Sequence, residues 1–278
     1  MNWVGLGAIE PRVCLALALC GWLLTGCATA QRHPDGQALG FVPLATDARV
    51  WLEPGAEAYA ERVSAYLDQA VSRVEHLHGL PFRSPPRVHV CASESCFTRW
   101  VQTPGLTAAV VADNRLVLSP RLHGQEAPRL PGILTHELSH LHLGQRLGHY
   151  TPWIPVWLHE GLATLAADGA GADATSDAQA CAAWRSGRRV DFNRRDAPGR
   201  RHRASEHGLD IHGFYRQSWR ALQRLHARDE GAFGRWLQAV QEGVDFHIAF
   251  ADIYNTDPNT LLTAMLNQTP IGADLCHE

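Results

Sequence analysis

The segment Pro131-Gly132-Ile133-Leu134-Thr135-His136-Glu137-Leu138-Ser139-His140 decides the reading of this chain. Its apolar residues recur at helical spacing. Pro131 suits the first turn of a helix, where a missing N–H costs nothing. On such a helix, residues four apart project from one face. His136 and His140 can therefore grip one metal ion, with Glu137 beside them and facing a water that the metal activates. Two imidazoles and a water suit a catalytic zinc site, because zinc lowers the pKa of its water to about 7. Glu137 would take the proton of that water and pass it to the leaving group.

In a chain with 16 His, the HExxH pattern would arise by accident in roughly one such sequence in twenty, so a third ligand has to decide. Glu160 supplies it, in Pro155-Val156-Trp157-Leu158-His159-Glu160-Gly161-Leu162-Ala163. It sits on a second expected helix, and a short loop through Gly148 and Pro152 could fold that helix back against the first. The expected centre is one Zn2+ per chain held by His136, His140 and Glu160, with Glu137 as general base and acid. His142 and His159 neighbour these ligands at spacings that put them on other faces, so they are not read as ligands.

Composition narrows the chemistry further. The chain has 278 residues, is 45% hydrophobic, and carries 25 Arg but no Lys. Without Lys there is no pyridoxal Schiff base, no GK[ST] phosphate loop and no Ser/Lys dyad. A formal net charge of −3 offers no global attraction to nucleic acid, and none is expected as a partner. At this length a core needs no metal to hold it, so a metal site is read as functional.

The first residues read as an address. Arg12 precedes the apolar run Val13 to Leu24, which is too short to span a bilayer and right for a signal-peptide core. The run ends in Leu24-Thr25-Gly26-Cys27, which resembles the bacterial lipobox. Residues 1–26 would be removed, and Cys27 would be lipidated and become the mature N-terminus. The alternative is an ordinary cleaved signal with an incidental Cys. Ala28 after the Cys favours the outer membrane, facing the periplasm. Residues 27–40 then form a lipidated tether poor in large apolar groups. Beyond Cys27 the mature chain keeps Cys91, Cys96, Cys181 and Cys276, an even number in an oxidising compartment. Of three pairings, Cys91–Cys96 with Cys181–Cys276 is favoured.

The expected fold class is α+β. An N-terminal mixed subdomain, 41–148, would carry a small sheet and end in the HExxH helix. A mostly helical subdomain, 149–278, would bring the third ligand, with the zinc cleft between the two. In the first, a helix is expected over 56–78, strands at 87–90, 108–111 and 115–118, and a short helix over 97–102. In the second, helices are expected around 154–168, 175–185, 208–226, 231–242 and 244–253.

The paired HELSH and WLHEGLA segments resemble the gluzincin zinc peptidases, the superfamily of thermolysin and the aminopeptidase-N-like enzymes, and WLxEGxA is closest to the latter. The resemblance spans some 30 residues. It implies peptide or protein substrates and carries zinc ligation to His136, His140 and Glu160, with base/acid catalysis at Glu137. The chain departs from the family twice. It has no GxMEN segment to hold a free substrate amine, which favours an endopeptidase. Thr164 also stands where thermolysin-like enzymes place an Asp that orients a ligating His. The resemblance further implies a substrate-aligning strand, for which Arg115–Ser119 is the candidate, an ordinary strand being the alternative. It implies a downstream oxyanion donor as well. His212 and Tyr215 share a helix face, and Tyr215 is preferred, against a plain amphipathic Tyr at the core edge. Eight Arg between 185 and 203 read as a solvated mobile loop rather than a surface for phosphate-bearing lipid or acidic substrate. The rival to hydrolysis is a zinc-peptidase-like scaffold that binds a partner in envelope assembly, and a third reading is cleavage of a peptidoglycan amide.

Overall fold

In the computed structural model, residues 40–103, 105–111 and 115–267 are described; the signal segment, Cys27, most of the tether and Cys276 lie outside them. The fold is α+β. Its sheet has five strands in the order β1-β2-β3-β5-β4: β1 (Val42–Pro43), β2 (Val50–Leu52), β3 (Arg87–Val90), β4 (Ala108–Val111) and β5 (Arg115–Leu118). The pairs β2–β3 and β3–β5 are parallel, and the two outer pairs are antiparallel. β5 is buried along its whole length. Its alternation is lost because a strand paired on both sides and covered on both faces has no solvent side.

The long helix α1 (Glu57–His78) covers the sheet. Tyr59, Ala60, Val63, Leu67, Ala70 and Val74 fall on one stripe and are all buried, each large member contributing about 1.5–3 kcal/mol relative to exposure. Between β3 and β4 lies α2 (Glu94–Trp100). It begins three residues earlier than the sequence pattern predicts, because Ser93 accepts the Cys96 N–H and Glu94 enters the first turn. Cys91 and Cys96 form the expected disulfide, with Cα atoms 5.6 Å apart. Cys181 is also disulfide-bonded, while Cys276 falls outside the described residues.

Helix α3 (Leu130–Leu147) carries HExxH, and a 3-10 stretch, Gly148–Trp153, leads to α4 (Val156–Ala166). Then follow α5 (Asp177–Arg185), α6 (Ile211–Arg228), α7 (Glu230–Gln241), α8 (Phe246–Tyr254) and α9 (Pro258–Asn267). The last of these was not distinguished in the sequence. Two main cores form. The sheet, α1 and the N-terminal part of α3 make one through Leu130, Leu134, Leu138 and Leu141. Leu143 and Leu147 of α3 join the other, with α4 to α9 around Trp157, Phe214 and Trp236. The HExxH helix therefore belongs to both.

The segment 185–203 is a loop whose arginines are mostly exposed, as expected, but it is anchored to the helical core. Val190, Phe192, Asp196 and His202 are buried. Asp196 Oδ2 accepts the Val156 N–H at 2.6 Å, at the start of α4, and Oδ1 accepts from the His202 backbone N–H and lies 2.6 Å from its ring Nδ1. Pro155, at the position before α4, supplies no side-chain cap. A carboxylate from 40 residues away does so instead, favourably placed at the positive end of the helix dipole. The arginines obscured this in the sequence, because the residues that anchor the segment are the few between them.

Candidate metal centre

His136 and His140 rise from one face of α3, and α4 brings Glu160 over them. Glu160 Oε2 lies 3.4 Å from His136 Nε2 and 3.3 Å from His140 Nε2, and one ligand atom from each residue falls within 4.8 Å of the others. All three side chains are largely buried. What positions α4 is its packing on α6. A Cβ on Gly161 would come within 2.9 Å of the Ser218 backbone, so the glycine after Glu160 permits an approach that any side chain would prop open.

The donor chemistry fits a metal ion. His136 Nδ1 lies 3.1 Å from the Ala170 carbonyl oxygen, which can only accept, so Nδ1 carries a proton and, in the neutral ring, the Nε2 lone pair faces Glu160. Glu160 Oε2 is buried and finds no hydrogen-bond donor. A lone pair and a carboxylate oxygen facing each other at this range repel unless a cation or proton sits between them. Burial alone would push the Glu160 carboxyl up; when the two imidazoles are protonated, their charge and N–H groups, His140 first, draw it well below the usual carboxylate range, and a bound cation would take that place between neutral rings. The geometry offers three ligands of the kind zinc takes in catalytic sites.

Ala170 answers the question raised by Thr164, which is buried and takes no part in orienting a ligand imidazole through a carboxylate. The orienting group is a backbone carbonyl on the segment after α4, a feature that no side-chain pattern could reveal. That segment passes so close to His136 that a Cβ on Gly171 would stand 2.9 Å from ring atoms Cε1 and Nδ1. The Gly171 carbonyl accepts from His212 Nδ1 at 2.8 Å. His140 is steadied differently: His159 stacks on it, with ring centroids 4.2 Å apart and planes within 8°. His159 thus packs against a ligand without joining the ligand group. His142 lies elsewhere, against His78 and Phe82.

A second trio, Glu53, Cys91 and Cys96, is also close enough to hold a cation. Its sulfurs are joined to each other, and Glu53 already accepts from the Ala92 and Ser93 amides, so it offers no thiolate and no free carboxylate.

A cavity of about 650 Å³ opens on the first trio, lined by β4, by Glu137, His159 and Ile133, and by Ile211, His212 and Tyr215 of α6. Glu137 is desolvated, which raises its carboxyl pKa; His140 and His136 oppose that shift, Glu160 adds to it, and the Val110 backbone amide favours the ionised form. Such a carboxyl holds a proton more readily than an ordinary one. Tyr215 sits with its ring centroid 6.0 Å from that of His136. Burial first, then the Glu160 carboxylate nearby and a hydrogen bond to it, raise its hydroxyl pKa far above the usual phenol value, so it is a donor at neutral pH. All five expected residues, His136, Glu137, His140, Glu160 and Tyr215, thus converge on one cavity.

The expected aligning strand is misplaced. Arg115–Leu118 is β5, paired with β3 on one side and β4 on the other, so its backbone has no edge to offer. β4 is the terminal strand, and residues 105–110 line the cavity. Both strands have comparable apolar patterns, and only the sheet order separates them.

Comparison with protein-family models and with curated proteins returned no match to this chain.

Proposed function

We propose that this protein is a zinc metallopeptidase of the gluzincin type, anchored through a lipid on Cys27 in a bacterial envelope and facing the periplasm. The observation that supports hydrolysis best is the convergence of His136, His140 and Glu160 with Glu137 and Tyr215 on one cavity. The cleft lies where the sheet half meets the helical half. Zinc held by the three ligands would supply Lewis-acid activation of water and positive charge for a developing oxyanion.

This chain's residues supply the rest. Glu137 accepts a proton from the attacking water at a carboxylate oxygen and delivers it to the amine of the departing segment. The pKa-raising effect of its buried setting suits that double role. Tyr215 donates its hydroxyl to the oxyanion. The outer edge of β4 offers backbone groups to an extended peptide by strand addition. No amine-holding segment accompanies the site, which favours cleavage at internal bonds. The test is an internally quenched peptide library offered to the zinc-loaded protein and to Glu137→Gln. Chelator-sensitive cleavage, lost in the variant while one zinc per chain remains, is the expected result. Retained cleavage in Glu137→Gln would remove the base/acid role. Absence of cleavage by the zinc-loaded wild type would leave the scaffold reading in its place. Among the described residues no helix is long and apolar enough to cross a membrane, and the anchor is tested by Cys27→Ser, which should leave the membrane fraction.

A further inference from the structure

We infer that the cavity selects peptides bearing a carboxylate on the C-terminal side of the bond cleaved, and that Arg121 and Arg129 read it; this rests on the peptidase reading above. The first observation is the charge of the lining. Among the described residues, Glu137 and Glu160 at the metal centre are the acidic ones that line the cavity, whereas Arg121 and Arg129 both line it away from that centre. Their carboxylate partners are not among the lining residues. Glu126 binds both guanidiniums, one with each oxygen, and Asp173 meets Arg129 at 3.5 Å. The two arginines are therefore held in place from outside the cavity. Each guanidinium carries five N–H donors, more than these contacts use, in the planar fork that suits a carboxylate. Both are a little over one-third exposed, at 39% and 37% of the side chain, which leaves them reachable by a ligand.

The second observation is where they stand along β4. The Ser119 N–H donates to the Thr107 carbonyl at 2.9 Å, and Ser119 Oγ accepts the Arg121 N–H, so the arginine end of the cavity adjoins the start of β4. The Val110 amide marks the other end, beside Glu137. A peptide that adds to β4 antiparallel, the stronger pairing, runs from Val110 toward Thr107 in its own N-to-C direction. Residues past the cleaved bond then arrive at Arg121 and Arg129. Leu106, Ile133 and Ile211 add apolar surface to the same cavity. The carboxylate has two sources, an acidic side chain or the free C-terminus of a short peptide.

The experiment compares matched quenched peptides with Glu or Gln at the second or third position after the cleaved bond, and with a free or amidated C-terminus. The zinc-loaded protein is assayed for kcat/KM. In parallel, fluorescence anisotropy of labelled peptides with zinc-loaded Glu137→Gln reads binding without turnover. A charge-assisted contact at partly exposed arginines predicts a preference of about tenfold for the carboxylate-bearing member. The preferred pair tells side chain from C-terminus. Arg121→Gln and Arg129→Gln should erase the preference while neutral peptides are cut as before, with metal content and circular dichroism unchanged. Equal rates and equal binding for the members of every pair would overturn the inference, as would an equal loss on acidic and neutral peptides in the variants. If nothing is cleaved yet the anisotropy still separates carboxylate from amide, hydrolysis falls and the selectivity stands. Should an arginine variant fail to fold, the wild-type comparison alone decides.

Discussion

Replacing Gly171 with Ala tests the centre without touching a ligand. Gly171 has φ +97° and an ideal Cβ there would lie 2.9 Å from both Cε1 and Nδ1 of His136. Two costs follow. An L-residue forced into this backbone region loses about 1–2 kcal/mol, and in a chain of this size each kcal/mol lowers Tm by roughly 2–4 °C. The metal-free variant should therefore melt about 2–8 °C lower. The second cost falls on the metal. The methyl displaces the His136 ring, and the Ala170 carbonyl that fixes its tautomer shifts with the same loop. Loss of such an orienting partner weakens metal binding by about 10–100-fold. Zinc affinity measured by competition with a chromophoric chelator should fall by that factor, while Gly187→Ala, also at positive φ but with nothing within 4 Å of its Cβ, should show the thermal cost alone. An unchanged zinc affinity in Gly171→Ala, alongside the lowered Tm, would refute the claim that this loop orients His136.

Further outcomes follow from the same geometry. Tyr215→Phe should keep its zinc and lower kcat by roughly 10²–10³-fold with little change in KM, as expected when one oxyanion donor is removed; an effect confined to KM would place Tyr215 in substrate binding instead. Asp196→Ala removes the cap on Val156 N–H and the partner of His202, and should cost about 1–3 kcal/mol by calorimetry. His89, 2% exposed between Phe41 and Trp51, has its pKa pushed down to about 4, chiefly by burial. The unfolded chain takes up that proton near pH 6.5, so the neutral folded form contributes stability that is fully present above pH 6.5. As pH falls toward 4 it is lost, by about 3 kcal/mol. His89→Leu should make the acid limb of Tm against pH shallower by about one proton, whatever it does to Tm at pH 7.5, and an unchanged slope would contradict the burial argument.

What was legible in the sequence is what local chemistry dictates. HExxH fixes its own face of a helix by spacing alone, and the stripe from Tyr59 to Val74 predicts α1 almost residue for residue. Glu160 was readable as the carboxylate of WLHEGLA, on an expected helix that a short loop could fold back onto the first. Hidden were the features set by chain crossings. The order β3-β5-β4 makes β4 the free edge, although Ala108–Val111 and Arg115–Leu118 read alike as apolar strands. The Ala170 carbonyl has no side-chain signature. Asp196, one of two acids among eight arginines, carries no local signal of its reach to α4. Each of these depends on residues far apart in sequence meeting in space, and a periodicity carries no information about such meetings.

The sharing of α3 between the two main cores has a consequence for the order in which the protein is completed. The chain up to Leu147 possesses two imidazoles but neither the carboxylate nor the carbonyl that orients the first ring, and α4 cannot present Glu160 until its contacts with α6 and Asp196 are made. If the trio holds zinc as proposed above, high-affinity uptake waits for the last part of the chain to arrive. On that same proposal, a molecule caught half-assembled, or locally opened in either core, would release its ion and be inert, and the proposed peptidase would act only in its finished form.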